Sequence, residues 1–178
     1  MTDPSADRGV GAQVHHKLEL RRELDVMVLY VSIVILAALA LLPSDFAVTG
    51  EGEDHRHVLL AVVWGSAIGL ALAHWFAFEL AAVGFRGGKV LREDLEIGAV
   101  QIAGAALVAL ATSVPILLSD PDSAVRAAAF VPAVLIGAAG YGAARAAGRS
   151  RVMALVFGLT ALVVGLSIAA VKAWLTGH

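Results

Sequence analysis

Five long apolar stretches constrain this chain more than any other feature of its sequence. They occupy residues 24–42, 58–85, 97–118, 127–144 and 152–174. A helix rises about 1.5 Å per residue, so ~20 apolar residues cross the roughly 30 Å of hydrocarbon in a bilayer. The sequence therefore predicts an all-α fold, an integral membrane bundle of five transmembrane helices.

The composition agrees with a membrane environment. Apolar residues make up 59% of the 178 residues and charged residues 16%, against roughly 45–50% and 25% in ordinary soluble domains. We expect a polar cytoplasmic arm at 1–23, able to form an interfacial helix, a membrane domain at 24–175 and an external tail at 176–178. The chain has no cysteine, which excludes disulfides and thiolate chemistry.

The positions of the basic residues predict the orientation of the spans. Ten of the 13 Lys and Arg residues fall in the arm, between spans two and three, or between spans four and five. Cytoplasmic segments of membrane proteins retain an excess of Lys and Arg. We therefore expect a cytoplasmic N-terminus and an external C-terminus. The abundant Ala, Gly, Val and Arg favour a bacterial source, and hence the bacterial inner membrane.

Small residues recur at four-residue spacing in four of the spans. These ladders are Gly65, Gly69 and Ala73; Ala105, Ala109 and Ser113; Ala129, Ala133 and Gly137; and Ala161, Gly165 and Ala169. Membrane helices approach one another closely at such residues. The ladders are explained either by a compact monomeric bundle or by a homo-oligomer that uses one of them between protomers.

Two ionisable residues lie inside the second span, namely His74 and Glu79. An ionisable side chain deep in a bilayer costs at least ~2.5–3.5 kcal/mol on insertion scales, so each is a candidate functional residue. Five residues along a helix correspond to a rotation of about 140°, so the two do not share a helix face. They do not form a simple two-residue relay.

The predicted topology places several other polar residues at similar depth. Gln101 in span three and Tyr141 in span four lie in the same leaflet as Glu79, which predicts a polar pocket open to the cytoplasm. Charged residues are expected to form a cytoplasmic rim around it: Asp25, Glu96, Arg86 and Arg145.

Two interpretations of Glu79 remain open. In one, the carboxyl is paired with an arginine or hydrogen-bonded and only holds the bundle together. In the other, it belongs to a proton or cation pathway in which His74 is a step at mid-membrane, since histidine exchanges protons near neutral pH.

Several motifs of enzymes and nucleotide-binding proteins are missing from the sequence. It has no complete P-loop, no Gly-x-Ser-x-Gly elbow and no His-Glu-x-x-His helix. The acidic and histidine residues at 51–57 have the right chemistry for a metal but look like a solvated loop. We therefore predict no enzymatic activity, cofactor, metal or nucleic-acid partner.

The function that the sequence favours is a channel or transporter for protons, cations or another small solute, with its polar site around Glu79. The alternative is a non-catalytic membrane scaffold or subunit that binds partner proteins or membrane lipid.

Overall fold

The computed structural model of this chain describes residues 4–42, 52–86 and 92–176, and these residues form five α-helices. The helices are α1 (Pro4–Leu39), α2 (Gly52–Arg86), α3 (Arg92–Leu118), α4 (Pro121–Ala146) and α5 (Arg151–Thr176). Each predicted apolar stretch lies largely within one helix. The prediction of an all-α fold is thereby confirmed.

The first helix is much longer than its apolar stretch. It begins at Pro4 and runs without interruption through most of the polar arm into the apolar segment. Residues 17–24 are Leu, Lys, Arg and Glu, which all have high helix propensity, and neither Pro nor Gly interrupts them. The arm and the apolar segment therefore form one rod rather than two separate elements.

Short turns join the last three helices. Asp120 has an extended backbone (ψ 151°), and Pro121 follows at the first helical position of α4, where its missing N–H is harmless. At the other end of α4, Gly148 adopts a positive φ of 73°. The amides of Gly148 and Arg149 donate to the carbonyls of Arg145 and Ala144, which completes a Schellman turn. This turn returns the chain directly into α5.

Helices α1 and α4 lie at the centre of the bundle, because each of them contacts all four other helices. α5 lies at the periphery, against α4 and α1. The main core is apolar and draws on α1, α2, α3 and α4; its large, fully buried members include Met27, Val31, Ile35, Leu59, Val63, Val108 and Ile116. Pro115 and Pro132 lie inside α3 and α4.

The outer surface of the bundle is apolar over four of the helices. The segments long and apolar enough to cross a membrane are His55–Ala81, Asp94–Leu118, Ser123–Ala146 and Arg151–Ile168. Large side chains such as Phe76, Leu118 and Phe130 are more than two-thirds exposed. Contiguous exposed apolar surface is rare in soluble proteins. These four helices are compatible with a membrane protein.

The apolar part of α1 is different, because charged residues precede it closely. Arg22, Glu23 and Asp25 occupy the helix immediately before its run of apolar residues, which begins at Val26. Helix α1 ends at Leu39. The structure thus has four helices that meet the requirements of a span on their own, and α1 as a central fifth helix.

Candidate functional site

Polar side chains join α1 to α3 at the end of the bundle where the arm lies. His16 Nε2 lies 2.8 Å from Glu96 Oε2, and Gln101 Nε2 donates to Glu23 Oε2 at 3.2 Å. Gln101 is buried, at 3% exposure. Both pairs join residues about 80 positions apart in the chain, so α1 and α3 run parallel.

A glycine allows the two helices to approach closely just beyond these pairs. A Cβ on Gly104 would lie 3.2 Å from the Cβ of Met27 and 3.3 Å from Leu24 Cδ1. The contact between Gly104 and Met27 extends the interface of α1 and α3 beyond the two polar pairs.

Three side-chain oxygens on α1 and α3 lack a hydrogen-bond partner among the residues that the structure describes. They are the hydroxyls of Ser32 and Thr112, both fully buried, and Oε1 of Gln101. Leaving a buried polar group unpaired costs roughly 1–3 kcal/mol. Most buried polar atoms in proteins have a partner, so three on neighbouring helices form an unusual feature.

The polar residues continue toward the other end of α3. Trp64 Nε1 of α2 donates to Ser113 Oγ at 3.1 Å, and the same hydroxyl donates to the carbonyl of Ala109 at 2.7 Å. Beyond them, Arg56 Nη2 donates to the carbonyl of Ser119 at 3.0 Å, at the C-terminal end of α3. Buried or half-buried polar groups therefore accompany α3 along most of its length.

Glu79 has a partner on its own helix. Trp75 Nε1 donates to Glu79 Oε1 at 3.1 Å, and this contact lies on the exposed side of α2. His74 is half-buried. The Trp75 ring lies beside α3, because a Cβ on Gly98 would be 3.8 Å from Trp75 Cδ1. The hydrogen bonds of Glu79 and Gln101 thus lead to different neighbours, Trp75 and Glu23.

Tyr141 belongs to a third location, the interface between α4 and α5. A Cβ on Gly158 would lie 3.3 Å from the Cβ of Tyr141 and 2.8 Å from the carbonyl oxygen of Gly137. A Cβ on Gly140 would lie 2.7 Å from the Cβ of Ala161. Backbones touch along this interface. The contacts described for Glu79, Gln101 and Tyr141 do not connect the three residues to one another.

The predicted rim residues lie at the same end of the bundle but in separate settings. Glu96 pairs with His16, as described above, and Asp25 lines a cavity between α1 and α4. Arg145 Nη1 donates to the carbonyl of Arg149 at 2.6 Å, within the turn that joins α4 to α5. Arg86 ends α2, and its side chain lies outside the described part of the structure.

The sequence prediction passed over Glu23, Ser32 and Thr112. It gave weight to ionisable residues inside the apolar stretches, whereas Glu23 precedes its stretch and two hydroxyls are ordinary in a membrane helix. The pairing of Glu23 with Gln101 depends on which faces α1 and α3 turn to each other, and no sequence pattern marks those faces.

Metal coordination and similarity to known proteins add no further site. Among the residues that the structure describes, no three His, Asp or Glu side chains come together in a way that could hold a metal ion. Comparison with known proteins finds no matching family model, no similar curated protein and no similar solved structure. The functional argument therefore rests on the chain's own residues.

Proposed function

We propose that the chain is a multi-pass protein of a bacterial inner membrane, with α1 as the fifth span, a cytoplasmic N-terminus and an external C-terminus. The alternation of Lys and Arg between the two sides supports this topology. So does the central position of α1, whose apolar residues pack against three of the four apolar helices in the main core. The span of α1 would use residues 26–42 in this topology.

We further propose that the protein conducts protons or another small cation along the buried polar groups of α1 and α3. One observation carries the proposal: the oxygens of Gln101, Ser32 and Thr112 are buried without a described partner. Oxygens that have no protein partner can hydrogen-bond water or coordinate a cation. Glu23 would provide the negative charge at the cytoplasmic end, where it accepts a hydrogen bond from Gln101.

This pathway differs from the site that the sequence predicted around Glu79. The contact of Glu79 with Trp75 on the exposed side of α2 supports the structural role of that carboxyl. A role for Glu79 and His74 in conduction stays a prediction, and the same flux measurement tests it. The proposal assigns no enzymatic activity to the chain.

The test is ion flux into liposomes that contain the purified full chain. Ser32→Ala with Thr112→Val removes both partnerless hydroxyls with little change in volume, and we expect proton flux to fall at least about tenfold. Stability should hold or rise, because unpaired buried groups are lost. Thr160→Val is the matched control, since Thr160 is exposed and its hydroxyl bonds to the Val156 carbonyl.

Unchanged flux in the double variant would contradict the pathway along α1 and α3. If Glu79→Gln lost flux and the double variant did not, the pathway would lie along α2 instead. Absence of flux in the unmodified protein would favour the second candidate function.

That second candidate is a non-catalytic membrane subunit that associates with a further copy of itself or with a partner protein. One observation favours it. Gly65 and Gly69 of α2 are exposed, and a Cβ on either would meet no atom within 4 Å. In contrast, Ala105 and Ala109 of the α3 ladder are buried inside the bundle. The α2 ladder is therefore free to contact another helix.

The mass of the protein in detergent, measured by light scattering, tests this association. If α2 mediates it, Gly69→Leu should lower the mass to that of one chain, because the side chain prevents close approach of two backbones. Ala81→Leu, on the same helix and also exposed, should leave the mass unchanged. An unmodified protein that is monomeric would contradict association through α2.

A further inference from the structure

A cavity of about 320 Å³ separates α1 from α4 at the end of the bundle where the arm lies. Its deeper wall is formed by Val26 and Leu29 on α1 and by Gly140 and Ala143 on α4. Because alanine has almost no side chain, Ala139 and Ala143 of α4 leave this space unfilled. The volume reaches the lower end of the range for ligand pockets, ~300–1,000 Å³.

Charged residues surround the mouth of this cavity. Arg21 and Arg22 are exposed, and Asp25 is half-buried one turn further along α1. Neither arginine forms an ion pair with any residue in the described part of the chain. Two guanidinium groups face one carboxylate, so the mouth is net positive. Arginine binds phosphate with two parallel N–H donors, which makes it well suited to anionic headgroups.

The distance between the charged mouth and the apolar wall fits an amphiphilic molecule. Arg22 and Leu29 are seven positions apart on one helix, so the charged mouth and the apolar wall lie about 10 Å apart along α1. A free phosphate ion would use only the mouth. A molecule with a phosphate at one end and a hydrocarbon chain at the other would use both.

We propose that this cavity binds one anionic phospholipid of the cytoplasmic leaflet. The phosphate lies against Arg21 and Arg22, and the upper part of an acyl chain lies between Leu29 and Ala143. The inference rests on the proposed topology, which puts this end of α1 and α4 at the inner surface of the membrane. It does not depend on the conduction pathway, since the cavity lies on the α4 side of α1.

Native mass spectrometry of the full chain in detergent tests the proposal. The protein is mixed with equal amounts of phosphatidylglycerol and phosphatidylcholine that carry the same acyl chains, and the retained lipid is counted. We expect phosphatidylglycerol to be retained preferentially. Each basic residue near an anionic lipid contributes roughly fivefold to binding, so Arg21→Gln with Arg22→Gln should lower retention roughly 25-fold.

Two further variants separate binding from misfolding. Asp25→Asn removes the negative charge of the mouth, and we expect it to raise phosphatidylglycerol retention a few-fold, which a damaged protein would not do. Ala143→Leu fills the apolar part and should reduce retention. The control is Ala138→Leu, because Ala138 is exposed on α4 and does not line the cavity.

Four results would overturn the inference. The first is equal retention of the two lipids by the unmodified protein, and the second is displacement of the lipid by millimolar inorganic phosphate. The third is a loss of retention in the control pair Arg149→Gln with Arg151→Gln as large as in the pair Arg21→Gln with Arg22→Gln. The fourth is a loss in Ala138→Leu as large as in Ala143→Leu. The conduction proposal fails differently, through unchanged flux in the Ser32 and Thr112 variants. A wrong topology would appear separately, as labelling of the N-terminus by a membrane-impermeant reagent added to intact cells.

Discussion

The interface of α4 with α5 and the interface of α1 with α3 solve the problem of helix packing in opposite ways. Between α4 and α5, glycines bring the backbones into contact, as at Gly158 and Gly137. Between α1 and α3, polar groups such as Gln101 and Glu23 make the contacts, and nearby hydroxyls remain without described partners. At the first interface no space remains between the backbones, whereas the second contains polar groups without described hydrogen-bond partners.

The two interfaces should therefore be sensitive to different kinds of substitution. Close backbone packing is sensitive to volume, because a single methyl group has no room. A polar interface is sensitive to the loss of a donor or acceptor, and its individual contacts are weaker, averaging about 0.6 kcal/mol between membrane helices. Three predictions test this contrast, from the largest expected effect to the smallest.

Gly158→Ala should be the most damaging of these changes. The added methyl would lie 2.8 Å from the carbonyl oxygen of Gly137, and a backbone oxygen cannot turn away. We expect a loss of about 1–3 kcal/mol in the free energy of unfolding, measured with a chemical denaturant in detergent. Gly165→Ala should cost less, because its clash at 2.9 Å is with the flexible end of Ile136.

Gly142→Ala is the control for this glycine series. Gly142 lies in α4, and a Cβ there would meet no atom within 4 Å. Alanine is the better helix former, so we expect unchanged or slightly increased stability. If Gly142→Ala destabilised the protein as much as Gly158→Ala, close packing of α4 on α5 would not be the cause.

The hydrogen bond between Gln101 and Glu23 should have a smaller effect. A double-mutant cycle with Gln101→Leu and Glu23→Ala is expected to give a coupling free energy of about 0.5–1.5 kcal/mol. The cycle is needed because Gln101→Leu also removes a buried oxygen that has no described partner, which compensates part of the loss. A coupling energy indistinguishable from zero would mean that the two side chains do not hold α1 against α3.

The contact between His16 and Glu96 should matter least. The two side chains are 35% and 41% exposed, and an ion pair in contact with water contributes at most about 1 kcal/mol. We expect Glu96→Gln to lower the free energy of unfolding by less than that. The difference from the unmodified protein should shrink between low salt and 1 M salt, because salt screens exposed charges. A difference independent of salt would argue against an ion pair.

The sequence predicted the existence of the five helices and the approximate limits of α2 to α5 but not the faces that the helices turn to one another. A run of apolar residues indicates a helix and the approximate position of each residue along the axis of the bundle. Glu79 lies seven residues before the end of α2, and Gln101 lies nine residues after the start of α3. Their rotation about the helix axes depends on tertiary packing, and apolar residues surround α2 on all sides, so no hydrophobic face marks its orientation.

The ladders of small residues show the same limit. Four helices carry them, and the pattern alone does not tell which ladder packs inside the bundle. The structure buries Ala105 and Ala109 of α3 and leaves Gly65 and Gly69 of α2 exposed. The distinction arises from which helices are neighbours, and that depends on the turns and on the central position of α1.

The unbroken length of α1 has a mechanical consequence. From His16, its first described contact with α3, the same helix extends back to Pro4, about 18 Å along the helix axis. The helix also contacts every other helix of the bundle. A displacement of α1 along its axis would therefore be transmitted to all four other helices rather than to one neighbour.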